Sequence, residues 1–390
     1  MTPAARLSAA IEILDRIRDG SAAEPALSGW ARASRFAGSG DRAAIRDLVF
    51  TALRCRRSHA ALGGADSGRG LILGGLREAG TEIDALFTGE RHAPAPLSEA
   101  ERAHLAAPIE LDRLVALDCP DWLAPQLEAS LGADFAPVME ALRQRAPVFL
   151  RVNTARATVA EVQERLAAEG IATRPVALSK TALEVTGNAR KIQNGACYRE
   201  GLVELQDAAS QALVEALPLA PGQKVLDYCA GGGGKSLAMA ARAALTLYAH
   251  DAAPRRMRDL GPRAGRAGAE IVQLATAEVP GRAPYDLVLL DVPCSGSGSW
   301  RRAPEAKWAL TPERLEELTR IQSDILEKTA PCVAGGGTLA YATCSLLAVE
   351  NGARIAAFRA AHPEWHLVEE RRFTPLDGGD GFYLALLTRG

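Results

Sequence analysis

KVLDYCAGGGGKS, residues 224–236, passes from a short apolar run through four glycines into a helical pattern. The apolar run suits a buried strand, and the spacing over 235–243 predicts a helix directly after the turn. Gly231–Gly234 carry no Cβ, so their backbone N–H groups can come close to a ligand at the positive end of that helix. The stretch is not a Walker A loop, which needs glycine where Cys229 stands. Nor is it a dinucleotide fingerprint, because Ala240 and Ala241 stand where glycine is wanted.

TLYAHD (246–251), EIVQLA (270–275), YDLVLLD (285–291) and GTLAYAT (337–343) are further apolar runs, with helical patterns at 254–267 and 312–330 between them. Near-continuous apolar strands alternating with helices predict a parallel sheet covered on both faces. HLVEE (366–370) and FYLALLT (382–388) predict a terminal hairpin. The expected fold class is therefore α/β, a doubly wound Rossmann-like domain over residues 206–390. Upstream, PVFLRVN (147–153), a helical stretch at 159–169 and short strands near 171–176, 182–185 and 201–205 predict a small α+β unit over 146–205. Residues 1–145 read as all-helical: Leu7, Ile11, Leu14 and Ile17 share one helix face, and Ile45, Leu48, Val49 and Leu53 another.

A glycine-rich first strand–helix turn also suits S-adenosylmethionine when an acid ends the following strand. Asp251 ends TLYAHD and can accept both ribose hydroxyls. His250 beside it is given no role.

The composition of the 390 residues, 48% hydrophobic and 24% charged, excludes a disordered chain and a fibrous one. Seven cysteines are too few and odd in number for a disulfide framework, and no CxxC pair offers a zinc site, so no metal is expected. The N-terminus has no apolar signal core, and no run of 18 uncharged apolar residues exists. The expectation is a reduced, cytoplasmic protein with no membrane partner, most simply a monomer. Net charge is -2, which gives no hint of nucleic acid, yet residues 1–77 hold 12 Arg against 7 acids.

Two cysteines stand apart from the rest. LLDVPCSGSGSWRRAPEAKW (289–308) starts at the end of the fourth strand and YATCSL (341–346) at the end of the fifth. Ligands in such sheets bind beyond the carboxyl ends of the strands, so Asp291, Cys294 and Cys344 point at one cleft. An intracellular thiol in a ligand cleft suggests nucleophilic catalysis, and no histidine lies near either one in sequence. Arg256 is the cofactor-side candidate within the basic run Arg255–Arg266.

At these residues the sequence resembles the NOL/NOP/Sun family of RNA cytosine-5 methyltransferases, in particular its bacterial branch of the ribosomal small-subunit RNA methyltransferase B type. The resemblance spans about residues 147–390 through LRVNT (150–154), REGLVELQDAASQ (199–211), CAGGGGKS (229–236), DAAPRRM (251–257), DVPCSGSG (291–298), RRAPEAKW (301–308), YATCS (341–345), EN (350–351) and DGFY (380–383). It implies a helical NusB-like RNA-binding domain over 1–145, an RNA-recognition-like unit over 146–205 and a methyltransferase domain over 206–390. It further implies S-adenosylmethionine as cofactor and RNA as partner, ribosomal first and transfer RNA second.

The resemblance assigns Cys344 as the nucleophile and Cys294 as the cysteine that helps release product. Asp291 and Lys235 complete the implied catalytic set. Cys229, Ala230, Gly231, Gly232, Gly233, Gly234 and Lys235 form the implied cofactor loop, with Asp251, Arg256, Thr276, Asp291 and Pro293 around it. Arg301, Arg302 and Trp308 are expected to meet RNA phosphates and a base. Two positions depart from the pattern. Gly232 stands where the family has proline. Thr276 stands near the place of an adenine-contacting Asp, for which Glu278 or a backbone amide is the alternative. That second departure keeps a cofactor-free RNA-binding or ribosome-assembly factor as the competing reading.

Overall fold

The computed structural model describes residues 1–389. Its contacts divide the chain into two compact units, Met1–Arg145 with Trp300–Ala309, and Ala146–Ser299 with Leu310–Gly390.

The first unit is helical. Its longest helices, Pro3–Arg18 and Ser39–Arg54, begin with Thr2 accepting from the Ala5 amide and with Asp41 closing back on the Gly38 amide. Leu7, Ile13, Leu14, Ile45, Val49 and Leu53 share one buried cluster. The unit also holds helices Ala23–Ala33 and Phe135–Arg143. The unexpected member of this unit is the segment Trp300–Ala309. It carries the helix Pro304–Ala309, and the chain leaves the α/β unit after Ser299 to form it.

The second unit starts with β1 (Phe149–Val152), β2 (Ala172–Val176), β3 (Ser179–Gly187) and β4 (Val203–Leu205). They pair antiparallel in the order β2-β3-β1-β4, the helix Val159–Ala168 connecting β1 to β2. The four-residue β1 is buried throughout because helix Ala208–Glu215 and its neighbours cover the sheet's second face. Arg151 is buried there and donates to Gln206 Oε1 and the Gly234 carbonyl. It supports the glycine turn from beneath.

A seven-stranded sheet follows. It is built from β5 (Lys224–Asp227), β6 (Thr246–His250), β7 (Val272–Leu274), β8 (Tyr285–Asp291), β9 (Val333–Thr343), β10 (Trp365–Phe373) and β11 (Phe382–Arg389). The order is β10-β11-β9-β8-β5-β6-β7, parallel from β9 to β7 and antiparallel at the hairpin β10–β11. This is the α/β fold expected from the apolar runs. Alternation along β8 shows why the strand reads as uniformly apolar. Leu287 and Leu289 pack with Leu213, Ala238 and Met239 on one face. Val288 and Leu290 pack with Leu326, Ile355 and Phe358 on the other. Each such side chain contributes about 1.5–3 kcal/mol by leaving water, so helices are required on both sides. No helix among the described residues is long and apolar enough to cross a membrane.

Candidate active site

Strand order places β8 beside β9 and β5 beside β8, so the loops after these three strands open on one edge of the sheet. After β5, Gly231 and Gly233 take φ of +52° and +77°, a region that costs residues with a Cβ. A Cβ on Gly233 would come within 2.1 Å of Leu260 Cδ1. The turn leads into the helix Gly234–Arg242, whose first amides have no partner within the helix. Beneath it lies Asp227, fully buried. Ser236 donates to its Oδ2 at 2.6 Å, while Oδ1 has no hydrogen-bond partner. Burial pushes the Asp227 carboxyl up to about 7, against the opposing hydrogen bond from Ser236.

Asp251, directly after β6, is buried and faces the turn. Its Oδ2 accepts from the Gly231 amide at 3.0 Å and its Oδ1 from the Ala253 amide at 2.9 Å. Arg256 pairs with it at 3.1 Å. Oδ2 thus meets two donors, while Oδ1 meets one and keeps a lone pair for a hydroxyl donor. His250 is also placed here: Nδ1 lies 2.6 Å from the Tyr228 carbonyl and Nε2 lies 2.9 Å from Thr276 Oγ1. A carbonyl only accepts, so Nδ1 donates to it and Nε2 is left to the Thr276 hydroxyl. Thr276 is thus drawn to the ends of β5 and β6. Glu278 caps its own turn at the Ala275 amide.

The thiols meet. Cys294 Sγ and Cys344 Sγ are 3.4 Å apart and both are half-buried. Lys235, buried on the first turn of its helix, donates from Nζ to Asp291 Oδ2 at 2.7 Å. Its pKa is raised: burial opposes the charge, but Asp291 outweighs that cost. The surroundings of the two sulfurs differ. Cys344 sits below the usual thiol range, first because of its hydrogen bond with Cys294, with the Lys235 charge and a Ser299 hydrogen bond adding to this against burial and the Asp291 charge. Cys294 is held well above that range by its bond to Cys344, then by burial and the charges of Cys344 and Glu350. These directions favour the proton on Cys294 and the thiolate on Cys344. Cys229 is also held high, by burial and then by Asp291, Asp227 and Asp251, so it lines the turn as a neutral thiol.

Some readings of the sequence place residues wrongly. Arg263 and Arg266, at the end of the basic run, both pair with the buried Glu204 of β4. In RRAPEAKW, the Trp308 indole donates to the Leu53 carbonyl at 2.6 Å and Lys307 is buried on the Arg54 carbonyl at 3.2 Å. Arg54 donates to the Arg301 carbonyl at 2.8 Å. The segment is a packing element of the helical unit. Pro293 takes part through its carbonyl, which accepts from Gln322 at 2.9 Å. Asp227, His250 and Glu350 went unassigned because a buried polar residue leaves no periodic trace. Only the EN pair at 350–351 offered a signal. In the helical unit, ligand atoms of Cys55, His59 and Glu78 lie within 4.8 Å of one another. Glu78 is already paired with Arg143, which a cation would have to displace.

The 16S rRNA methyltransferase RsmB/F family matches residues 214–387, and an RsmF/B-like ferredoxin-like domain matches 119–191. The ferredoxin-like match starts within the helical stretch and covers β1–β3. Ribosomal RNA small subunit methyltransferase B of Yersinia pseudotuberculosis and of Yersinia pestis are each 32% identical over 285 residues. That alignment takes in 69% of this chain and 66% of the relatives' own length. Among solved structures, PH0851 shares 22% identity at a TM-score of 0.77 over 100% of this chain and 99% of that one. A methyltransferase homologue from Pyrococcus horikoshii shares 25% identity at a TM-score of 0.63, over 72% of this chain and 98% of that one. NSun6 from Pyrococcus horikoshii, solved with SFG, has the same fold at 17% identity and a TM-score of 0.60, over 69% of this chain and 98% of that one. The chain belongs to the Sun family of methyltransferases, within its RsmB/F group.

Proposed function

We propose that the protein is an S-adenosylmethionine-dependent RNA cytosine-5 methyltransferase that acts on small-subunit ribosomal RNA, as a monomer in the cytoplasm. The observation that carries this reading is the thiol pair at 3.4 Å, one sulfur biased to thiolate, beside the Lys235–Asp291 pair. The residues around the glycine turn fit the cofactor. First-turn amides that have no partner within the helix suit its carboxylate, and Asp251 Oδ1 retains acceptor capacity for a ribose hydroxyl. Gly231–Lys235, Asp251, Arg256 and Thr276 would hold it. When bound, it supplies an electrophilic methyl on a sulfonium.

Cytosine C5 is a poor nucleophile until C6 is saturated. Cys344 as thiolate adds to C6 and leaves an enamine across C5. N3 gains a proton in that step, and Lys235 with Asp291 holds one across 2.7 Å. Once C5 is methylated, solvent takes H5 as a proton. The C5–H electron pair re-forms C5=C6 as the C6–S bond breaks and returns Cys344 as thiolate. N3 gives its proton back to the Lys235–Asp291 pair. Cys294 donates its S–H to the departing Cys344 sulfur, as it does at rest. A base presents C6 to a thiol only after leaving its stack.

Cys344→Ala is expected to abolish methyl transfer to small-subunit RNA. Cys294→Ala is expected to accumulate a protein–RNA adduct that survives denaturing electrophoresis. Unchanged turnover in Cys344→Ala sinks the proposal.

A further inference from the structure

Glu350 lies in the turn after β9 and is completely buried. Its carboxylate accepts from the Ser295 amide at 2.8 Å, from the Ser295 and Ser345 hydroxyls, and from Gln322 Nε2 at 3.0 Å. Ser295 directly follows Cys294, and Ser345 directly follows Cys344. One side chain thus grips the residue after each reactive thiol. Ser297 extends the lacing: its hydroxyl lies 3.0 Å from Ser345 Oγ and accepts from the Leu346 amide at 2.8 Å. Asn351 continues it, accepting from Thr343 Oγ1 at 2.6 Å and donating to the Ser345 carbonyl at 2.8 Å.

A buried carboxylate without a cation on it is costly, and this one is held between the two cysteine loops by donors from both. The groups on Glu350 are neutral donors. Arg354 on the following helix instead donates to Ser323 Oγ at 3.4 Å. The Tyr341 hydroxyl bonds the Glu350 carbonyl, leaving the carboxylate to the serines and Gln322. The charged groups acting on the thiols are Asp291 and Lys235 at Cys344 and Glu350 at Cys294.

We propose that Glu350 is a positioning residue that locks the two cysteine loops in register and, by its charge on the Cys294 side, keeps the shared proton on Cys294 so that Cys344 is the nucleophile. This rests on the reading of the pair as a methyltransferase dyad, yet it is testable without methyl transfer. Neither the cleft nor the cofactor turn contains Glu350. It acts through Ser295 and Ser345.

The test is iodoacetamide alkylation of the full chain across a pH series, with each cysteine quantified by peptide mass spectrometry. In the unaltered protein Cys344 is expected to react first and at the lower pH. In Glu350→Gln the side chain keeps its shape and loses its charge. The Cys344-over-Cys294 reactivity ratio near neutral pH is then expected to fall by about tenfold, the equivalent of one pKa unit, with the Cys294 midpoint moving to lower pH. Ser345→Ala retains the charge and cuts one tether, so it is expected to leave the Cys294 midpoint in place while reducing methyl transfer. It is the second arm should Glu350→Gln fail to fold. A merely structural Glu350 would raise both reactivities together at every pH. That result, or unchanged midpoints in Glu350→Gln, overturns the proposal. Loss of the methyltransferase reading by active Cys344→Ala would leave these midpoints as they are, so the two failures are distinguishable.

Discussion

Asp227 shows how much chemistry a single residue can hold out of sight. Its carboxyl is pushed up by burial to about 7 from an ordinary 3.8. Below about 4 both folded and unfolded chains bind this proton, and its contribution to stability is fully present. As pH rises from there, the unfolded chain releases the proton first, and stability is lost until the folded group also ionises near 7. Asp227→Asn removes that titration and still offers an acceptor to Ser236. The melting temperature of the variant relative to the unaltered protein is expected to climb between pH 4 and 7 and to level off above that. A difference that stays constant with pH, measured by calorimetry, would refute the raised pKa. The residues of the site were legible in unequal measure. Cys294, Cys344 and Asp291 follow from their places at strand ends, and Lys235 and Asp251 from the turn. Asp227, Glu350 and His250 were not, because what distinguishes them is a buried partner brought from elsewhere in the chain: Ser236 for Asp227, Ser295 for Glu350, Thr276 for His250.

At the scale of the element, the strand–turn–helix of residues 224–242 was readable because two local rules agree in it. Apolar continuity gave the strand, and glycine gave the turn. The individual glycines are not equivalent, and the sequence does not rank them. Gly233 needs its positive φ and touches Leu260, so Gly233→Ala meets both strain and overlap. It is expected to cost about 1–3 kcal/mol in urea unfolding and to weaken cofactor binding. Gly232 has no positive φ, and a Cβ there would meet only the far end of Arg263, at 3.0 Å. Gly232→Pro, which restores the residue the family uses, is expected to be tolerated and to add about 0.4–1 kcal/mol by restricting the unfolded chain. Equal effects of the two substitutions would show that the turn is not conformationally specified as argued. The short β7 is the counterexample for legibility. EIVQLA predicts six residues, but only Val272–Leu274 pair, because the edge of a sheet offers partners on one side alone.

Over the whole molecule, composition and patterning anticipated a helical part followed by an α/β part, yet not the exchange of chain between them. RRAPEAKW follows a cysteine loop, and nothing in its local pattern says that it leaves the α/β unit. Its destination is written in long-range bonds: Trp308 to the Leu53 carbonyl, Lys307 to the Arg54 carbonyl, and Arg54 back to the Arg301 carbonyl. The first two satisfy carbonyls at the end of helix Ser39–Arg54, which lack partners within the helix. Lys307 is held down to about 8 by burial and stacks its ammonium 4.4 Å from the Trp308 ring. Removing the indole therefore frees one helix-end carbonyl and uncovers the lysine stem. In the full chain, Trp308→Ala is expected to make the segment open more often. Trypsin cleavage after Arg301, Arg302 or Lys307 should accelerate about tenfold for each 1.4 kcal/mol of lost local stability. The same treatment should leave cleavage within the β10–β11 hairpin unchanged, since Trp365 and Tyr383 are buried in the other unit. If instead both regions are cut faster in Trp308→Ala, the segment is not an independently held part of the helical unit. If neither is, the indole is not what fastens it.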